Sequence, residues 1–265
     1  MDSKKSDIIY YFSGSGNSLA VAKALAAKLN NAIIVPMASE PPKTELGGNG
    51  VRVGFIFPVY YGKLPRRVDY FLRNIKINPE TYLFATATMG GPFGGSALRV
   101  LKETLLKKGI AISYGKTIYM VGNYIINYNP SDPAAADKKT AKARIKTAAV
   151  IDDILQLKRN TIRAIKFTAN NLYNDVASLD KQFYADSKCI GCGLCEKICP
   201  VQNIKLESGK PVWQGRCEHC VACIHWCLAA AIQYGEKTLS RRRYHHPDVS
   251  SSEINQCGDF PVADD

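Results

Sequence analysis

The chain has 265 residues, 46% of them hydrophobic, with 35 Lys and Arg against 23 Asp and Glu, a formal charge of +12. That size suffices for one medium core and a second, small module. No apolar run approaches the ~20 residues that cross a bilayer, so no membrane span is expected. Met1 to Asp7 is polar, and the apolar run Ile8 to Phe12 is too short for the core of a secretory signal, which predicts a cytoplasmic protein with reduced thiols. The basic residues gather between Ala134 and Asn174 and again at Lys237, Arg241, Arg242 and Arg243. Such patches suit a solvated face or an acidic partner. No helix-turn-helix, zinc-finger or aromatic RNA-platform pattern accompanies them, so nucleic acid is not expected.

Through the first 175 or so residues, apolar runs alternate with longer amphipathic stretches, the mark of a doubly wound α/β layer. Strands are expected at Asp7–Phe12, Ala32–Pro36, Arg52–Phe57, Tyr82–Thr88 and Thr117–Gly122, and helices at Asn17–Leu29, Leu64–Asn74 and Gly95–Lys108, the last stopped by Gly109. A Tyr- and Asn-rich loop, Asn123–Pro133, leads into a helical stretch from Ala134 to about Tyr173, long enough for two helices or one kinked helix. The expected division is an α/β domain over residues 1–178, a cysteine-rich module over 179–236, and a basic, polar tail over 237–265.

Three loops fall at the carboxyl ends of predicted strands, the edge where open α/β sheets bind ligands. The first, Ser13-Gly14-Ser15-Gly16-Asn17-Ser18, runs from strand to helix, and its hydroxyls and helix-terminal amides suit a phosphate. It holds no cation, which suits a terminal phosphomonoester among neutral donors. It has neither the Lys of a Walker loop nor the third small residue of a dinucleotide fingerprint, since Leu19 stands there. The second, Pro58-Val59-Tyr60-Tyr61-Gly62, offers aromatic rings to a planar ligand. The third, Thr88-Met89-Gly90-Gly91-Pro92-Phe93-Gly94-Gly95-Ser96, is Gly-rich enough for its backbone to approach a pyrimidine edge. Each alone reads equally as a turn or as core packing; together, in this order, they point to one ligand.

Eight of the nine cysteines form two runs, Cys189-x2-Cys192-x2-Cys195-x3-Cys199-Pro200 and Cys217-x2-Cys220-x2-Cys223-x3-Cys227. A triplet with a lone follower is ligand spacing for a 4Fe-4S cluster, whereas zinc sites usually take separated pairs. Disulfides do not suit a reducing compartment. Spacers in the first run are small or apolar, while the second carries Glu218, His219, Val221, Ala222, Ile224, His225 and Trp226. With a complete Cys set present, those histidines read as packed or solvated residues. Cys257 sits in the tail without a partner and reads as a free thiol.

The Ser13-x-Ser15-Gly16-Asn17-Ser18 pattern resembles the FMN phosphate loop of flavodoxins, and the cysteine runs resemble bacterial two-cluster ferredoxins. Including Arg243-Tyr244-His245-His246-Pro247, the whole chain resembles the fused flavodoxin and ferredoxin electron-transfer proteins of anaerobes. The resemblance implies a flavodoxin-like five-stranded parallel sheet of order 2-1-3-4-5 with FMN at its edge, held by Ser13 to Ser18, Pro58 to Gly62 and Thr88 to Gly94, with Tyr60 or Tyr61 against the ring. It also implies a small α+β dicluster ferredoxin domain in which each fourth cysteine crosses over. Cys189, Cys192, Cys195 and Cys227 would then hold one cluster, and Cys217, Cys220, Cys223 and Cys199 the other.

The function expected is that of an iron-sulfur flavoprotein passing electrons between redox partners through two [4Fe-4S] clusters and FMN, with an acidic redox protein as donor or acceptor. One alternative is a reductase of a small organic substrate walled by Asn123, Tyr124, Tyr128 and the Tyr60/Tyr61 pair, although no acid–base pair is recognisable. Another is a redox-sensing module that docks through its tail. Oligomeric state stays open, a dimer included.

Overall fold

The computed structural model describes residues 6–29, 31–91, 96–162 and 180–254. Strands β1 (Ile8–Tyr11), β2 (Ile33–Pro36), β3 (Arg52–Pro58), β4 (Tyr82–Met89) and β5 (Tyr114–Tyr119) form one sheet in the order 2-1-3-4-5. Every pairing in it is parallel. That is the flavodoxin-like order, with its switch point between β1 and β3. Each residue of β4 is buried, as a strand covered on both faces requires. Gly54 on β3 is fixed by its neighbour, because the Phe84 ring lies 2.1 Å from where a Cβ would stand.

Helices α1 (Asn17–Ala26) and α4 (Pro133–Leu155) contribute to one apolar core with Ile9, Phe84 and Ile118, while α2 (Arg66–Asn74) and α3 (Ala97–Leu106) contribute to another with Phe12, Phe55 and Phe57. The α4 start follows from its sequence: Asp132 accepts a hydrogen bond from the Ala135 amide at 3.0 Å, and Pro133 needs no donor partner in the first turn. Its buried residues Thr140, Ala143, Thr147, Val150, Ile151 and Ile154 recur at three- and four-residue steps.

Most element ends fall within three residues of the sequence expectation, and two elements differ most. The fifth strand spans 114–119 rather than 117–122: its register is set by Phe84 opposite Tyr114 and Met89 opposite Tyr119, while the apolar run from Ile118 draws a sequence reading too far downstream. The outer edge of β5 is closed by Asn160, whose side chain accepts from the Gly115 amide and donates to the Gly115 carbonyl, both at 2.9 Å. The long helix ends at Leu155, and Leu157 takes a left-handed φ of 53°. The remainder of the helical stretch expected up to Tyr173 lies, beyond residue 162, outside the described residues, as does Gly95 before α3.

The cysteine-rich module is a twofold internal repeat. β6 (Phe183–Ala185), α5 (Leu194–Lys197) and β7 (Ile204–Glu207) are followed by β8 (Lys210–Trp213), α6 (Ala222–His225) and β9 (Ile232–Tyr234). β6 pairs antiparallel with β9, and β7 with β8. Left-handed backbone recurs at equivalent places in the two runs, at Gly191 and His219, Gly193 and Val221, and Gln202 and Ala230.

Residues 239–254, within the basic, polar tail expected over 237–265, fold back as a strap. Val249 and Ile254 enter the core formed by α1 and α4, Arg144 pairs with Asp248 at 2.8 Å, and Lys23 pairs with Glu253. The polar composition conceals those two apolar anchors. Ile198, Cys220, Ala222 and Trp226 of the cysteine-rich module join the same core, so the two modules pack directly on each other. Among the described residues no helix is long and apolar enough to cross a membrane.

Candidate functional site

The loop after β1 enters α1 through Gly16, whose φ of 91° is left-handed. The Gly16 amide donates to Ser13 Oγ at 3.1 Å, Ser18 Oγ and Thr88 Oγ1 are 2.8 Å apart, and Asn123 Nδ2 donates to Ser15 Oγ at 2.5 Å. Ser13, Ser15, Ser18 and Thr88 are all buried. First-turn amides of a helix have no intrahelical acceptor and carry the positive end of its dipole. With four buried hydroxyls and no charged side chain in the loop, the donor set fits a phosphomonoester.

The second loop is a tight turn. Tyr60 and Lys63 exchange both backbone hydrogen bonds, and the central residues Tyr61 and Gly62 have φ of 50° and 77°. It is tied to the third loop by the Val59 amide, which donates to the Thr88 carbonyl at 2.9 Å, and by Ser96 Oγ, which donates to the Gly62 carbonyl. The two tyrosines diverge. Tyr60 meets Phe12 edge-on with its hydroxyl beside Gly14, whereas the Tyr61 hydroxyl bonds Tyr124 and His219 Nδ1, the latter at 2.9 Å. Met89, Gly90 and Gly91 close the end of β4, and Gly90 lies against the Gly122 backbone. Pro92, Phe93 and Gly94 lie outside the described residues, as does Cys257.

The cysteines line two separate cavities. One is ringed by Cys189, Cys192, Cys195 and Cys227; the other by Cys199, Cys217, Cys220 and Cys223. Each triplet faces one cavity, and the short helix after it carries the follower to the other. Backbone amides point at three of the sulfurs: Asn203 to Cys199 at 3.2 Å, His219 to Cys217 at 3.2 Å and Ala231 to Cys227 at 3.3 Å. Burial pushes the Cys195 thiol up to about 11 and Cys217 up to about 12, so a thiolate there needs a cationic metal centre. Among the described residues no three His, Cys, Asp or Glu converge on a single ion, while four thiols ring each cavity. That donor set fits a multi-iron cube better than one zinc ion.

The second cavity abuts the α/β loops. A Cβ on Gly14 would stand 2.7 Å from the Cys220 carbonyl oxygen, and Trp226 Nε1 donates to the Gly14 carbonyl at 2.8 Å. His219, between Cys217 and Cys220, also holds the Tyr124 hydroxyl at 2.7 Å from its Nδ1. Burial lowers its pKa to about 4, with the Arg66 charge adding to the effect, so the ring is neutral at pH 7. His225 is likewise held neutral by burial: Nδ1 accepts from the Tyr244 amide at 3.1 Å, leaving Nε2 to donate to the Asn123 carbonyl at 2.6 Å. Buried Glu218 accepts from the Arg67 amide at the start of α2 and pairs with Arg66, both at 3.3 Å.

The strap completes the enclosure. The His246 amide donates to the Ser15 carbonyl at 2.8 Å, the Tyr244 hydroxyl to Asn17 Oδ1 at 2.8 Å, and Val249 and His246 lie over Gly16. The contacts of Glu218, His219, His225 and Trp226 with the α/β domain were not legible in the sequence, which offered the histidines only as packed or solvated residues; the one further signal was size, since His219 and Val221 stand where the first run has Gly191 and Gly193.

A flavodoxin-like α/β domain joined to a 4Fe-4S ferredoxin-type module is the architecture that this sheet order and these cysteine runs define. Residues 184–205 match the family model of the 4Fe-4S binding domain. An uncharacterized protein of Methanocaldococcus jannaschii is 33% identical over 58 residues, which cover 22% of this chain and 22% of that one. Similar solved structures include a putative flavoprotein of Bacteroides uniformis, 17% identical over 44% of this chain and 92% of that one, with a TM-score of 0.33. A Streptococcus pneumonia flavodoxin is 12% identical over 55% of this chain and 99% of that one, with a TM-score of 0.35. The fold assignment stands on the strand order and register, not on those likenesses.

Proposed function

We propose that this protein is a cytoplasmic iron-sulfur flavoprotein that carries electrons between redox partners. FMN would be held by Ser13 to Ser18, Pro58 to Gly62 and Thr88 to Gly94. One [4Fe-4S] cluster would be held by Cys189, Cys192, Cys195 and Cys227, the other by Cys217, Cys220, Cys223 and Cys199. The proposed units are residues 1–178 for flavin, 179–236 for the clusters, and the C-terminal segment as a strap. Flavin exchanges one or two electrons and a cluster one, so a chain holding both converts between the two.

The observation that carries this reading is the contact of Gly14 with Cys220, which sets the second cavity against the phosphate loop. Cofactors held by these residues would fall in the order flavin, the cluster of Cys217, then the cluster of Cys189. The same junction favours a carrier over a reductase. Tyr61 and Tyr124, two of the five residues expected to wall an organic substrate, are engaged with each other and with His219. A sensor docking through a free tail is disfavoured by the packing of the strap. Anaerobic reconstitution with iron, sulfide and FMN, followed by analysis, tests the reading: about eight irons and one FMN per chain are expected, and retention of neither overturns it.

A further inference from the structure

Arg243 is held behind the wall of the first cavity by neutral groups alone. Nη2 donates to the Ile232 carbonyl at 3.0 Å, to Gln233 Oε1 at 2.8 Å and to the Ala230 carbonyl at 3.5 Å. Nη1 donates to the Thr238 and Arg241 carbonyls at 3.1 and 3.5 Å. Its Nε is buried and has no partner among the described residues. Ile232 lines the first cavity, and the Ala231 amide donates to Cys227 Sγ at 3.3 Å. The Ala230–Ala231 peptide thus turns its carbonyl to the guanidinium and its N–H to the thiol, so one peptide group separates the two.

Carbonyls satisfy N–H groups without cancelling a charge, and a desolvated cation lacking a counter-ion is costly. Arginine cannot escape that cost by losing its proton at working pH. Arg52 and Arg67, also partly buried, pair with Asp7 and Glu40 at 2.9 and 2.8 Å, whereas Arg243 makes no ion pair among the described residues. The carboxylate that faces it, Asp186, stands beyond the Gln233 side chain, whose Nε2 donates to Asp186 Oδ2 at 3.3 Å. Burial lowers the Arg243 pKa, and negative charge on Cys227, then on Asp186 and Cys223, acts against that fall. The missing counter-charge therefore lies on the cysteine side. A cube ligated by four thiolates supplies it, being an anion in both of its redox states.

We propose that Arg243 is the internal counter-ion of the cluster held by Cys189, Cys192, Cys195 and Cys227, and that its charge raises the reduction potential of that cluster. The proposal rests on the reading of the first cavity as a cluster site. On reduction the cluster gains one electron, with no bond or proton changed, and the attraction to the guanidinium grows. At an effective dielectric of about 20, a unit charge about 10 Å away shifts a one-electron equilibrium by more than tenfold. Arg243 belongs to the strap, so the first residues of that segment serve the clusters as its later ones cover the phosphate loop.

The test uses the full chain loaded with iron, sulfide and FMN, poised anaerobically with dithionite and mediators, and reads each cluster's midpoint potential by electron paramagnetic resonance. Cys192→Ser, which alters a ligand of the first cluster only, identifies its signal. Arg243→Gln removes the charge, while Arg243→Lys keeps it and loses the planar fork. Arg243→Gln is expected to lower the first cluster's midpoint by at least tenfold in the reduction equilibrium, about 59 mV for one electron, and the other midpoint by less. Arg243→Lys should keep both within threefold of native. Loss of iron from Arg243→Gln but not from Arg243→Lys supports the proposal equally, since only the charge is common to Arg and Lys. An unmoved first midpoint in Arg243→Gln, equal shifts of both midpoints, or the same shift or iron loss in Arg243→Lys marks a packing role and overturns it. A native chain that retains no cluster overturns the functional reading on which it rests.

Discussion

Gly14 of the phosphate loop and Cys220 of the second cysteine run meet backbone to backbone, with 2.7 Å between the Cys220 carbonyl oxygen and the place a Cβ on Gly14 would occupy. A carbonyl cannot swing aside as a side chain can, so Gly14→Ala must part the two modules by some tenths of an ångström. The expected cost is about 1–3 kcal/mol in denaturant unfolding, together with, on the proposed function, slower electron exchange between flavin and cluster in flash photolysis. Gly91→Ala is the control: among the described residues its added Cβ meets nothing within 4 Å, and stability should stay within about 0.5 kcal/mol of native.

His219→Gly puts at the left-handed position, φ 55°, the residue type that the first run has at Gly191. The backbone around Cys217 and Cys220 is therefore expected to hold, with iron content unchanged. What disappears is the link from His219 to Tyr61 and Tyr124 and its edge contacts with Phe183 and Tyr234. Lost packing and hydrogen bonding outweigh the relief at the backbone, for a net loss of about 1–3 kcal/mol. Hydrogen exchange should rise at residues 60–63 and 123–126 while the β6–β9 pair keeps its protection.

Tyr244→Phe removes the hydroxyl that donates to Asn17 Oδ1 and also bonds the Thr140 side chain, and leaves the ring in place. The loss is about 1 kcal/mol, and on the FMN reading it should appear as a severalfold faster release of flavin with cluster absorbance unaffected. Val249→Ala withdraws the side chain nearest Gly16 and should act in the same direction.

Acid should loosen the strap before the sheet. The Lys23 ammonium and the Ser250 amide and hydroxyl hold the Glu253 carboxyl down to about 2, below an unfolded value of about 4.3. A lowered carboxylate contributes stability that is present above the unfolded value and lost as pH falls through the folded one. Burial lowers His246 as well, and Asp248, Arg144 and Lys23 are the charges that face it. A histidine held neutral resists the proton that the unfolded chain accepts below about 6.5, so its contribution also declines on acidification. Trp226, stacked on His245 of the strap with ring centroids 4.5 Å apart, provides a fluorescent reporter. Its emission should change as pH falls from about 6 toward 2, and Lys23→Met should move the lower part of that change to higher pH.

Much of the fold was legible locally. Apolar runs of β1, β3 and β4 and the turn residues between them identify a parallel sheet, and the observed order is the one the resemblance implied. The weakest strand was β5, whose first four residues, Tyr114-Gly115-Lys116-Thr117, have no apolar period and are fixed by pairing with β4 and by Asn160 on the outer edge. At the site, cysteine spacing marks two runs, but the cavities divide the thiols differently, with Cys227 beside the first triplet and Cys199 beside the second, an exchange that only the ferredoxin resemblance implied. Hidden from the sequence were Glu218, His219, His225 and Trp226, whose partners Arg67, Tyr61, Asn123 and Gly14 stand 102 to 212 residues away in the chain. No local period encodes such pairs. The strap was hidden for a related reason, since Val249 and Ile254 are isolated apolar residues in a polar stretch that becomes apolar surface only against α1.

The strap reaches the first strand from the far end of the chain, with Tyr11 donating to the Glu253 carbonyl 242 residues away. During vectorial synthesis the α/β domain therefore leaves the ribosome before residues 244–254 exist, and its Ser13 to Ser18 loop first meets the cell uncovered. On the FMN reading, flavin and nascent chain would combine at that stage without a barrier, whereas later departure would have to undo the bonds of Tyr244 and His246 and the packing of Val249. Capture and release then follow different clocks, and the holoprotein's lifetime is set by the opening rate of a segment that played no part in loading it.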